Sequence, residues 1–147
     1  MYFFRLKQVL LLAVAASSLV GCGGSGATAA KSVPHVRVVT ALYFQANSKL
    51  GKNPANEEEF KQAIDSANVD WSTLGVSGAD ELFVSDRDGK PLVIVYGPPP
   101  QGRPFSVVAY EQEGLNGVRL VGTSDGQVKE ADAATFARLV PEPAASK

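Results

Sequence analysis

The chain has 147 residues, with 14 Lys and Arg against 15 Asp and Glu, a net charge of −1, and 45% hydrophobic residues. That length holds one ordinary domain rather than two. The near-neutral balance lacks the basic excess that nucleic-acid binding requires, and the single cysteine, Cys22, excludes an intramolecular disulfide, a cysteine metal cluster and a redox pair.

The first seven residues carry Arg5 and Lys7 and no acid, and residues 9–20 form an apolar run. The run is short for a membrane span, which needs about 20 apolar residues, and suits the hydrophobic region of a signal peptide. It ends Leu19-Val20-Gly21-Cys22, which resembles the lipobox of bacterial lipoproteins. The resemblance implies transfer of a diacylglyceryl group to the Cys22 sulfur, cleavage after Gly21 and acylation of the new amine. That chemistry needs a thiol nucleophile at the membrane surface and a small neighbour that admits the peptidase. Residues 1–21 are accordingly expected to be a signal peptide. Without Arg5 and Lys7 the remainder has 12 basic and 15 acidic residues, a net charge of −3. The expected location is the cell membrane or outer membrane, with the lipid on Cys22 as anchor and the domain in the periplasm or facing outward.

Residues 22–33 are expected to be the lipidated cysteine and a tether. The stretch 23–31, Gly-Gly-Ser-Gly-Ala-Thr-Ala-Ala-Lys, offers too little apolar surface to fold. As a flexible coil it reaches roughly 15–18 Å.

Residues 34–140 should form one globular domain, with a loose tail over 141–147. Val36, Val39, Tyr43, Ala46 and Leu50 recur at spacings of three and four, the mark of one helix face. Pro34 suits its start and Gly51 the position just past its end, and His35, the single histidine, opens it. Asn56, followed by Glu57, Glu58 and Glu59, reads as the N-cap of a second, short helix burying Phe60, Ala63, Ile64 and Ala67. Residues 68–80 read as a loop pinned by Trp71 and Leu74. From there the period becomes two. Residues 82–85 suggest a strand, Asp88-Gly89 a hairpin turn, and the unbroken apolar run 92–96 a central strand. The proline-rich stretch 97–104 cannot pair. Strands are expected over 105–111, 118–123 and 127–130. Asp132 then caps a last helix with Phe136, Leu139 and Val140 on one face, ended by Pro141. The class is α+β: an N-terminal helix and a short second helix packed on a three- to four-stranded antiparallel sheet, with a short C-terminal helix.

The stretches 36–50, 52–60 and 85–97, with Val108-Ala109-Tyr110-Glu111 and Ser124-Asp125-Gly126-Gln127-Val128, resemble the small uncharacterised lipoproteins of planctomycete-type bacteria. Their globular part is similar in layout to the pseudopilins of type II secretion. The resemblance spans about residues 36–140 and implies a pseudopilin-like domain. The chain departs from a pilin in having a lipobox and a glycine-rich tether where a pilin has a long apolar helix, which argues against assembly through such a helix.

Catalytic residues are not expected. Cys22 is expected to be consumed by lipid, and His35, the single histidine, lies close to the tether, so no Ser-His-Asp or Cys-His arrangement is expected. Asp80, Asp86, Asp88 and Asp125 sit on turns. Asp86-Arg87-Asp88-Gly89 resembles the opening of a calcium loop without its closing glutamate, so no metal or other cofactor is expected. The stiff segment Pro98, Pro99 and Pro100, with Arg103 as a charged donor, is the candidate partner-binding element. The favoured function is a non-catalytic envelope lipoprotein that binds or supports an envelope protein. The alternative is a small-ligand-binding or enzymatic domain with a pocket that the sequence does not display.

Overall fold

A computed structural model describes residues 33–102 and 105–140. The elements run α1 (His35–Leu50), α2 (Glu57–Asp65), α3 (Trp71–Leu74), α4 (Ala79–Leu82), β1 (Val93–Ile94), β2 (Val107–Tyr110), β3 (Arg119–Thr123), β4 (Val128–Ala131) and α5 (Ala133–Leu139). The four strands form an antiparallel meander in the order β1-β2-β3-β4, so the class is α+β as expected. Among the described residues no helix is long and apolar enough to cross a membrane.

The two leading helices form where caps and apolar spacing agree. Pro34 precedes α1, and Gly51 ends it in the left-handed conformation, φ 70°, which glycine adopts without a Cβ clash. Val36, Val39, Tyr43 and Ala46 are buried, joined by Leu42 and Thr40. Asn56 Oδ1 accepts from Glu59 N–H at 2.9 Å, while Glu59 Oε2 reaches back to Ala55 N–H at 2.5 Å. The return bond thus lands one residue ahead of the usual capping-box partner. Phe60, Ala63 and Ile64 are buried as expected, whereas Ala67 is exposed past the end of α2.

Segment 68–80 is more ordered than a pinned loop. Asp70 accepts from Ser72 and Thr73 N–H and starts the one-turn helix α3, and α4 follows at Ala79. The expected strand over 82–85 is replaced by the end of α4 and a single bridge between Val84 and Pro91. Hairpin geometry survives in the turn between them, where Gly89 takes φ 69°.

The run 92–96 is not a central strand. Only Val93 and Ile94 pair, with Tyr110 and Ala109, and β1 is an edge of the sheet. Five apolar residues in a row suggest burial on both faces, but here Leu92 alone is buried, Ile94 is half-buried and Val95 is exposed.

Side chains alternate along β3 and divide the helices between two faces. Gly122 meets Thr40 of α1, whereas Arg119, three residues before it on the opposite face, lies 4.2 Å from the Phe136 ring of α5. Tyr110 completes that second contact, its ring 5.2 Å from Phe136. The last helix therefore covers the face away from α1. The main core lies under α1, around Phe60, whose ring is 5.3 Å from Tyr43, 5.7 Å from Phe83 and 6.4 Å from Tyr96.

The approach of α1 to β3 is closest at Gly122. A Cβ there would fall 1.9 Å from Thr40 Oγ1 and 3.0 Å from Thr40 Cβ. Thr40 cannot swing freely, because its hydroxyl donates to Val36 O at 2.7 Å. Gly122→Ala should therefore destabilise the domain by about 1–3 kcal/mol, the usual penalty of overpacking. Adding Thr40→Ala should restore part of that loss. Urea melts of the two single variants and the double variant measure the coupling, and strictly additive losses would show that the helix is not held against Gly122.

Candidate functional site

The proline segment leaves the sheet at the end of β1. Its root is fixed by a chain of amide bonds. Asn47 Nδ2 donates to Asn53 Oδ1 at 2.6 Å, Asn53 Nδ2 donates to Gly97 O at 3.0 Å, and Gly97 N–H donates to Pro54 O at 2.8 Å. Pro98, Pro99 and Pro100 are exposed beyond that root. Pro98 and Pro99 form one wall of a cleft of about 520 Å³, and Lys52 and Asn53, just past α1, form the other. Lys52 is partnered by Glu59 Oε1 at 3.0 Å. The structure thus brings three of the four candidate binding residues to one edge of the domain. The fourth, Arg103, lies outside the described residues, as does Cys22.

The acidic turn serves a different end. Asp88 Oδ2 accepts from Glu113 N–H at 3.0 Å and Gly114 N–H at 2.8 Å, and Oδ1 accepts from Lys90 N–H at 3.0 Å. Burial pushes the Asp88 carboxyl up, but the N–H donors of Gly114, Lys90 and Glu113 and the Ser85 hydroxyl outweigh it and hold it below the ordinary value. Asp86 Oδ1 accepts from His35 N–H at 3.0 Å. His35 Nδ1 lies 2.6 Å from Val84 O, and since a carbonyl only accepts, Nδ1 carries the proton. Both groups at the start of α1 are therefore committed to the turn. Asp80 sits on α4, paired with Lys61, and Asp125 accepts from the Thr123 hydroxyl, which holds its carboxyl low. Among the described residues no three His, Cys, Asp or Glu groups converge as a metal site would require.

One group was not singled out from the sequence. Glu111, fully buried, accepts from Leu120 N–H at 2.8 Å, Arg87 Nη1 at 3.1 Å and Ser85 Oγ at 3.2 Å. Ser85 Oγ in turn accepts from the N–H groups of Arg87 and Asp88. A serine beside a carboxylate invites a catalytic reading, yet Ser85 is itself only 2% exposed and no substrate can reach it. This cluster ties the turn of residues 85–90 to the start of β3. Tyr43 is likewise structural: its hydroxyl donates to Val95 O at 2.8 Å, and burial pushes its pKa up to about 12. The 24-residue gap between Arg87 and Glu111 carries no local signal of their pairing.

No family model, curated protein or solved structure matches this chain.

The acid network sets a pH dependence. A carboxylate whose folded value lies below its unfolded one stabilises the fold fully above the unfolded value, 3.8 for Asp88, and loses that contribution as pH falls through the folded value. Asp88→Asn should cost about 1–3 kcal/mol at neutral pH, because an amide cannot accept at both oxygens. It should also reduce the loss of stability between pH 7 and pH 3. Urea melts at the two pH values test this, and an unchanged pH difference would place the acid sensitivity elsewhere.

Proposed function

We propose that this chain is a membrane-anchored envelope lipoprotein whose domain has a protein-binding or structural role and not a catalytic one. The observation that carries the reading is an order along the chain. A basic start, a short apolar run, the box ending at Cys22 and a glycine-rich stretch all precede a domain that begins at Pro34. Two acyl chains at one cysteine give stable anchoring, since each buried CH₂ contributes about 0.8 kcal/mol. Supporting this, three groups that could do chemistry, His35, Asp88 and Glu111, are engaged in holding the domain together. The rooted, exposed prolines offer a partner pre-ordered backbone that loses little entropy on binding.

Cys22→Ser should leave the precursor uncleaved and unable to incorporate labelled palmitate. If the variant is processed and fractionates like the parent, the lipoprotein reading is wrong. Replacing Pro98, Pro99 and Pro100 with glycine and serine should weaken capture of envelope partners while the circular dichroism spectrum stays unchanged. Equal co-purification with the replaced loop, or turnover of a substrate by the purified protein, would overturn the role assigned to these prolines.

A further inference from the structure

A second exposed feature is the free side of β1. Residues 83–85 run beside residues 90–92: Leu92 N–H donates to Phe83 O at 2.7 Å and Ser85 N–H to Lys90 O at 2.8 Å. On the opposite side, Val95 N–H donates to Val108 O at 2.8 Å. Peptide groups alternate along an antiparallel strand, so residues 93 and 95 address β2 while 92, 94 and 96 address the other side. Leu92 is covered there by residue 83. Ile94 and Tyr96 continue the same outward row, and β1 has no further strand beside it among the described residues. An unpaired row of this kind is a template for another strand.

The row opens into a groove of about 530 Å³ whose lining includes Phe83, Val84, Ile94 and Tyr96 together with Glu57 and Asp80. Lys61 is the cation at this place, and its Nζ is already shared between Glu57 Oε1 and Asp80 Oδ1, each at 2.6 Å. Two carboxylates thus line the groove against one shared cation, which leaves it an excess of negative charge. From this juxtaposition the geometry points to the β1 edge as a docking site for an extended, cationic peptide segment of a partner protein, which adds as a strand beside residues 94–96. The inference rests on the protein-binding reading but uses a surface separate from the prolines. Charge selects the occupant: a Lys or Arg in the segment meets Glu57 and Asp80, whereas a second copy of this chain would bring the same carboxylates against them.

The probes are two synthetic peptides of equal length, one alternating lysine with valine and one alternating glutamate with valine, titrated into the full chain by fluorescence anisotropy and by amide NMR. The lysine peptide should bind saturably, shift the amides of Ile94 and Tyr96, and bind at least about tenfold tighter than the glutamate peptide, as expected for complementary against like charge. Glu57→Gln with Asp80→Asn should weaken it by about fivefold and flatten its salt dependence. Ile94→Pro removes an outward N–H without breaking the ladder to β2 and should weaken it similarly. Should Ile94→Pro fail to fold, the Glu57 and Asp80 pair of changes still decides. Equal binding of both peptides, no binding of either, or self-association of the free chain through this edge would each overturn the proposal. Binding abolished by the proline-loop replacement and untouched by the edge variants would also overturn it, while leaving the protein-binding reading in place.

Discussion

A carboxylate with none of its surface in water has to be surrounded by donors, and Glu111 imposes that requirement on two separate segments, the turn of residues 85–90 and the start of β3. Taking such a charge out of water costs several kcal/mol unless partners are fixed around it. The Arg87 guanidinium, the Ser85 hydroxyl and the Leu120 amide are those partners. Arg87 also donates to Val118 O at 3.3 Å, and Lys90 meets Glu113. The turn of residues 85–90 is thereby held against the connection between β2 and β3. That placement fixes where residues 90–92 enter the sheet, and so where β1 begins and which of its peptide groups face outward.

Much of the fold was legible because local signals agreed with tertiary ones. Around α1 and α2 the apolar spacing, Pro34, Gly51 and Asn56 all pointed to the same boundaries. The meander of β2, β3 and β4 followed from its turn residues and its period of two, and Asp132 marked α5, whose Thr135 N–H it caps at 2.7 Å. What was not legible had no periodic trace. The one-turn helices α3 and α4 are too short to show a period, and α3 is held by the Asp70 cap. The run 92–96 looked central because valine and isoleucine suit any buried strand. Its edge position depends on residues 83–85 occupying one part of its flank and on no further strand, among the described residues, pairing along the rest, which is tertiary information. At the candidate site, the prolines were legible as a stiff exposed segment. Their anchoring by Asn47 and Asn53 joins residues 50 and 44 positions away from Gly97, beyond the reach of any local pattern.

The aromatic cluster links these surfaces. Phe60 on α2 stacks on Phe83 and meets Tyr96, so α2 cannot shift without disturbing both the residue that closes one end of the free edge and the residue that extends it. Tyr96 is pushed up to about 12, mainly by burial and then by the nearby Glu57 carboxylate, so its hydroxyl keeps its proton throughout the neutral range. The acids of α2 are thus set beside β1 by packing rather than by their own attractions. The exposed ion pairs of Lys61 contribute little to that placement, as surface pairs generally do.

The first turn of α1 has a mechanical consequence. His35 is bonded through its backbone to Asp86 and through its ring to Val84, both in the hairpin segment that Glu111 anchors. Four residues further on from Val36, Thr40 is wedged against Gly122 in the middle of the sheet. A pull applied to the chain ahead of Pro34 therefore does not peel α1 away one turn at a time. The load is shared at once between the hairpin and β3, so those attachments must yield together. The start of the domain is built as a strain relief, and a load entering at Pro34 would be borne there before it reached β1 or the prolines.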